Sequence, residues 1–272
     1  MRMRIETTAK RIIPRPIQKL LLPIYNQVTP KHSSELAFWK SRLAAENGVF
    51  NNSGYRVVML AMAEEPDEGF VAGKIVADFG CGPKGSLVWA KPAFLRIGID
   101  VLADRYADHF QSNIISHDMI YVKSSEKVIP IPSDFVDILY TVNAMDHVNS
   151  FAAMCKEMIR IIKPGGDFIG SFNLEGLVTP TEPQRLDEKK IKENLLDFLE
   201  IKSYRVTKRG PEGQWYTPFY HGELSYTKGQ PGILWVRAKK TANNLLVWPS
   251  GTSESRALLG GNSNLAHTFI QY

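Results

Sequence analysis

The sequence predicts an α/β fold built on a doubly wound, mostly parallel sheet of seven strands, flanked by helices and preceded by an N-terminal helical cap. Three observations predict it. Short apolar runs alternate with amphipathic helical stretches between Lys74 and Lys239, as expected of strands joined by crossover helices. The first run, Ile75-Val76-Ala77, opens into Asp78-Phe79-Gly80-Cys81-Gly82-Pro83-Lys84-Gly85, where glycines let the backbone turn sharply against a ligand. The 272 residues with 44% hydrophobic content suffice for one large buried core.

Each element follows from its pattern. Residues 34–47 place Leu36, Trp39, Leu43 and Ala44 on one helical face, and Gly48 ends the helix. Tyr55, Val58, Met59 and Met62 form a second stripe that stops before Pro66. Both helices precede the glycine loop and are placed to cap it. Residues 74–79 form the first strand, and a helix is expected to begin at 85–90. Residues 95–100 form a second strand ending in an acid, 113–117 a third and 135–142 a fourth. Residues 150–163 are a helix with Phe151, Met154, Met158, Ile159 and Ile162 inward. Pro164-Gly165-Gly166 stops it before a fifth strand at 167–173. Residues 187–200 are a charged amphipathic helix, and 201–208 and 232–239 are two late strands. The linker 209–231, rich in glycine, proline and aromatics, is long for a plain turn, and such loops are often functional. The expected organisation is a basic arm at 1–31, a helical cap at 32–70, a cofactor-binding domain at 71–240 and a loosely structured tail at 241–272.

The net charge of +5 is concentrated in the arm. Arg2, Arg4, Lys10, Arg11, Arg15, Lys19 and Lys31 stand there against Glu6 alone. The nearly neutral body argues against a broad nucleic-acid-binding face. The arm's apolar stretch is short and broken by prolines and lacks a small-residue cleavage site, which argues against a membrane span and a signal peptide. It suits packing on its own domain or peripheral contact with an anionic membrane. Two cysteines, Cys81 and Cys155, form no disulfide framework, and the expected compartment is the reducing cytoplasm. No metal-ligand pattern stands out.

Gly80-x-Gly82-x-x-Gly85 fits a dinucleotide loop, with Asp100 as the acid that would bind a ribose. Asp78 opposes that reading, because it would sit close to two phosphate charges. A ligand carrying an ammonium and a sulfonium welcomes a carboxylate there, and S-adenosyl-L-methionine is such a ligand.

The ordered motifs resemble those of the class I (Rossmann-like) S-adenosylmethionine-dependent methyltransferases over roughly residues 50–240. The matching segments are Val76-Ala77-Asp78-Phe79-Gly80-Cys81-Gly82-Pro83, Ile97-Gly98-Ile99-Asp100, His117-Asp118-Met119 and Ile129-Pro130-Ile131-Pro132-Ser133-Asp134-Phe135-Val136-Asp137. Asn143-Ala144-Met145-Asp146-His147-Val148 and Arg160-Ile161-Ile162-Lys163-Pro164-Gly165-Gly166 complete the series. The resemblance implies an antiparallel last strand. It implies that Asp78 and the loop at Gly80, Cys81 and Gly82 hold the methionine part of the cofactor. Asp100, followed by Val101, would accept both ribose hydroxyls. Asp118 would accept from the adenine amino group, Met119 would lie beside the ring, and Asn143 would line the site. Lys84 departs from the small residue frequent at its position. Cys81 reads as a small loop residue rather than a nucleophile.

Asp146-His147 is the catalytic lead. It follows the fourth strand, where acceptors approach in this family, and a histidine titrates near neutrality. The bland alternative is a capping aspartate and a wall-lining histidine. Glu175 and Tyr220-His221 are lesser candidates. Trp215, Tyr216, Phe219 and Tyr220 suit either an aromatic substrate wall or a loop packed on the sheet. The family's nucleic-acid enzymes carry Asn/Asp-Pro-Pro-aromatic or a Pro-Cys nucleophile, and neither occurs here. The expected reaction is methyl transfer to an oxygen or nitrogen of a small metabolite or of a glycan or lipid-linked sugar. An NAD(P)-dependent oxidoreductase and a non-catalytic interaction protein retaining the fold are the alternatives. Binding of S-adenosylhomocysteine or of NADH separates them.

Overall fold

The computed structural model describes residues 31–211 and 214–241. The basic arm before Lys31 and the tail after residue 241 lie outside the described residues. Among the described residues, no helix is long and apolar enough to cross a membrane.

Two helices lead in, α1 (Lys31–Ala45) and α2 (Ser53–Ala63). Gly48 takes φ +82° just past α1 and donates its N–H to Leu43 O at 2.9 Å, closing the helix as a left-handed glycine does. The sheet comprises β1 (Ile75–Phe79), β2 (Leu95–Asp100), β3 (Ile120–Lys123), β4 (Val136–Val142), β5 (Ile162–Leu174), β6 (Glu200–Lys208) and β7 (Gly232–Lys239), in the order β3-β2-β1-β4-β5-β7-β6. β1 to β5 pair in parallel, and β7 runs antiparallel to both β5 and β6.

The sheet is covered on both faces, so its central strands carry almost continuous apolar runs. On one side lies α5 (Phe151–Ile161), whose Phe151, Met154, Cys155, Met158 and Ile159 are buried at helical spacing. On the other lie α2 and Leu87, against Val76, Tyr140, Ile169 and Trp235. Between β2 and β3 come two short helices, α3 (Ala103–His109) and α4 (Gln111–Ser116). A third cluster joins Leu36 of α1 to Phe50, Leu102, Tyr106 and Phe110, and so seats the cap on this part of the domain.

Four expectations change. The third strand is Ile120–Lys123, not 113–117. Residues 111–116 are helical because Asn113 is used as a clamp: it accepts from Phe50 N at 3.0 Å and donates to Gly48 O at 3.2 Å. No helix begins at Gly85. Single i→i+3 turns, Val88 N to Gly85 O and Ala90 N to Leu87 O, carry the chain on, so no helix N-terminus faces the loop. Pro164-Gly165-Gly166 lies within β5, where the pairing with β4 slips between Val136 and Ile138. The helix expected at 187–200 is α6 (Glu188–Asn194), capped by Asp187 accepting from Lys190 N at 2.7 Å. It gives way to a 3-10 turn before β6.

Candidate functional site

The parallel strands end in a common rim, and the order reverses beside β1, where ligands bind in such sheets. Gly80, Gly82 and Gly85 all have positive φ, which side-chain-bearing residues adopt only at a cost. The loop also leaves no room for side chains. A Cβ on Gly80 would stand 2.2 Å from Ala144 Cβ, and one on Gly82 would stand 2.8 Å from the Trp39 ring.

Asp78 is 2% exposed, and its Oδ1 has no hydrogen-bond partner among the described residues. Burial pushes its carboxyl up to about 7. Asp100 ends β2 and accepts from Gly82 N at 3.0 Å and Leu102 N at 2.9 Å. Those N–H groups oppose the upward push that burial gives its carboxyl. Asp100 therefore ties the glycine loop to the second strand. Val101, half-buried beside it, packs into the cluster under α1. Cys81 points inward against Gly98, and burial raises its thiol well above the usual range, so it is a packing residue.

Asn143 follows β4 with φ +50°, donates its N–H to Ser171 O at 3.0 Å and keeps a buried, unpartnered Oδ1. Beyond it the turn brings Asp146 Oδ1 3.9 Å from His147 Nε2. Asp146 is 4% exposed, and burial raises its carboxyl while the neighbouring His147 opposes the shift. Its Oδ2 accepts from Asn173 Nδ2 at 3.5 Å, and Asn173 Oδ1 accepts from Arg209 at 3.3 Å.

The structure separates Asp118 and Met119 from these residues, which corrects the expectation for both. They precede β3 at the amino end of the sheet. Asp118 is solvent-exposed there and pairs with Arg96, and Met119 packs on the α2 side. Both line a groove of about 330 Å³ with Lys91, Phe94 and Ile120. The carboxyl end of β3 runs instead into Ser124, Ser125 and Glu126. The slip has one cause, the misplaced third strand. The alternation of Ile120-Tyr121-Val122 was the available signal.

Glu175 is held by Arg185. The 209–231 loop folds onto the sheet: Phe219 stacks on Trp235 at 3.9 Å, Tyr216 meets Trp235 edge-on at 5.1 Å, and Arg209 lies over Trp215 at 5.0 Å. Tyr220 and His221 are exposed.

The sequence reading missed what α1 contributes. Lys31, Glu35 and Trp39 recur every four residues and so share one face. Trp39 lies over Gly82, with its indole Nε1 buried and without a partner among the described residues. Lys31 reaches Glu126 at 2.8 Å and Asn149 at 3.2 Å. Glu35 sits between these anchors, and burial followed by the Asp100 carboxylate pushes it up to about 7. At the other end of the helix, Glu46 accepts from Lys84 at 2.9 Å, which explains the lysine in the loop. The only hint in the sequence was Glu35 one turn before a core tryptophan.

Residues 77–170 match the family model of methyltransferase domains. No curated protein matches the chain. Among solved structures, an S-adenosylmethionine-dependent methyltransferase from Mesorhizobium loti is 17% identical, with a TM-score of 0.50 over 70% of this chain and 100% of that one. A SAM-dependent methyltransferase from Thermotoga maritima, described as a possible histamine N-methyltransferase, is 13% identical, with a TM-score of 0.51 over 78% and 100%. A Haloferax volcanii chain solved in a complex with the Trm112 methyltransferase activator is 18% identical, with a TM-score of 0.50 over 69% and 90%.

The residues fit that cofactor. Asp78 offers an unpartnered buried carboxylate oxygen for an ammonium, and Asp100 keeps lone pairs for hydroxyls. The glycines leave open the volume that Cβ atoms would fill. The family match makes residues 77–170 a methyltransferase domain, the sheet order with β7 reversed is the fold of the S-adenosylmethionine-dependent methyltransferases that the chain is similar to, and the cofactor this implies is S-adenosylmethionine.

Proposed function

We propose that the protein is a methyltransferase acting on an oxygen or nitrogen of a small metabolite or of a glycan or lipid-linked sugar. The observation that carries this is the convergence of Asp78, Asp100, Asn143, Asp146 and His147 at one rim of the sheet, around a loop whose glycines cannot be replaced without collision. When bound, S-adenosylmethionine supplies an electrophilic methyl on a positively charged sulfur. Asp78 holds the ammonium and Asp100 the ribose hydroxyls, while Asn143 borders the site. Positioning the acceptor in line is the larger part of the task. His147, steadied by Asp146, takes the acceptor's proton.

Calorimetry with S-adenosylhomocysteine and NADH tests the reading. Micromolar binding of the first with none of the second is expected, together with a product 14 mass units heavier than its acceptor. Binding of NADH alone would turn the assignment to an oxidoreductase. His147→Ala is expected to cut turnover by about 100-fold, the usual reach of a positioned base, with cofactor affinity intact. Unchanged turnover would remove His147 from the proton path.

Affinity should also depend on pH. Burial pushes the Asp78 carboxyl from the ordinary 3.8 up to about 7 in the ligand-free fold. A cation favours its ionised form, so affinity rises between about pH 6 and about 7.5. The folding sign is opposite. The contribution of this group is fully present below its unfolded value and is lost as pH rises towards 7. Asp78→Asn should therefore flatten the binding profile while raising the melting temperature of the ligand-free protein above pH 7. A profile unchanged in the variant would assign the titration to another group.

A further inference from the structure

Two carboxylates besides Asp78 and Asp100 face the same cleft. Asp146 is 4% exposed, and its Oδ1 has no hydrogen-bond partner among the described residues. Its other oxygen has only the long contact to Asn173 at 3.5 Å. Glu35 comes from the cap. The helix face that carries it is fixed at both ends, by Lys31 on Glu126 and by Trp39 over Gly82. Among the described residues, no hydrogen bond or ion pair is formed by Glu35, though it feels both Asp100 and His147. His147 thus has Asp146 Oδ1 at 3.9 Å on the rim and lies in the field of Glu35, which the cap holds between Lys31 on Glu126 and Trp39 over Gly82.

Among the described residues, the cations nearby are engaged elsewhere. Lys31 is held by Glu126, with His32 at 3.6 Å from the same carboxylate. Lys84 is held by Glu46. Arg209 stacks on Trp215 and stops at Asn173. The unpaired Asp146 carboxylate is costly to keep buried, and half-buried Glu35 adds negative charge beside it, so the site becomes favourable when a cation arrives. An anionic acceptor would be repelled from this wall, and a neutral hydroxyl would leave both charges unpaired.

We propose, resting on the methyltransferase reading above, that the acceptor is an amine bound as its ammonium ion between Glu35 of the cap and Asp146 beside His147. The ammonium gives one N–H proton to the His147 imidazole, which frees the nitrogen lone pair. The N–CH3 bond forms as the S–CH3 bond breaks, the electron pair stays on sulfur in neutral S-adenosylhomocysteine, the product leaves as a singly charged methylammonium, and His147 passes its proton to water. Glu35 and Asp146 select the substrate, and His147 carries the proton.

The test uses the full chain with methyl-labelled S-adenosylmethionine and a small-molecule extract split on ion exchangers into cationic, neutral and anionic fractions. Label is expected in the cationic fraction. For the acceptor purified from it, Glu35→Gln should raise KM by about tenfold or more, the loss expected for one charge-assisted hydrogen bond. Its kcat and its S-adenosylhomocysteine affinity should stay within about twofold of the parent, a range far smaller than that loss. Label in the neutral or anionic fraction, or in none, overturns the proposal, as does an unchanged KM in the variant. Failure to bind S-adenosylhomocysteine would instead overturn the methyltransferase reading itself.

Discussion

Asp100→Ala is expected to weaken S-adenosylhomocysteine binding by at least about 100-fold, close to 2.7 kcal/mol. The residue acts twice. It accepts the N–H groups of Gly82 and Leu102 at 3.0 and 2.9 Å, and each buried donor left unpaired costs about 1–3 kcal/mol. In the proposed site it also offers its remaining lone pairs to the ribose hydroxyls. The alanine variant therefore loosens the loop and removes the ligand contact together. Asp100→Asn separates the two effects. It keeps one carbonyl oxygen for a backbone donor but turns an amide N–H₂ towards the other. Calorimetry, with thermal melting of the ligand-free protein alongside, gives both readings. Affinity within about fivefold of the parent, under 1 kcal/mol, would exclude Asp100 from the cofactor site.

Gly80→Ala should be the most damaging single methyl in the loop. At φ +74° an L-residue costs roughly 1–2 kcal/mol. The new Cβ would sit 2.2 Å from Ala144 Cβ, and relieving such overpacking costs typically about 1–3 kcal/mol more. The sum is a large share of the roughly 5–15 kcal/mol that holds a domain together. Ala144 lies between Asn143 and Asp146, so the displacement also moves the rim that carries His147. Urea unfolding should show a loss of more than about 2 kcal/mol of unfolding free energy, with binding lost. Gly54→Ala is the control: it lies in α2 with nothing within 4 Å of the new methyl, and there alanine should be neutral or stabilising by up to about 1 kcal/mol. Equal effects at the two positions would mean that the glycine loop relaxes freely.

The central sheet was legible because its signals are local. Ile75-Val76-Ala77 before Asp78, Ile97-Gly98-Ile99 before Asp100 and the apolar run through Val142 are short runs, each bounded by its own turn. The antiparallel β7 was reached only through resemblance, because strand direction is a property of pairing. The third strand was the weak point. Asn113-Ile114-Ile115 and Ile120-Tyr121-Val122 are both short and apolar, and periodicity cannot rank two such runs. The pairing of Ile97 with Ile120 settles it, and with it the removal of Asp118 and Met119 from the rim.

By itself, the sequence determined the cofactor cradle: a strand, a carboxylate and three glycines in fixed spacing, with an acid at the next strand's end. These groups lie close along the chain, and their chemistry follows from charge and from the missing Cβ. Only the tertiary structure decided what faces that cradle. Trp39 comes to Gly82, and Glu35 into the field of Asp100 and His147, across 43, 65 and 112 residues of chain. Nothing in the spacing of an amphipathic helix says which neighbour its face will meet. Packing made that choice, through Leu36 against Phe50, Tyr106 and Phe110 and through Lys31 on Glu126. Burial then gave Glu35 and Asp146 the charge environment that no count of acids could show.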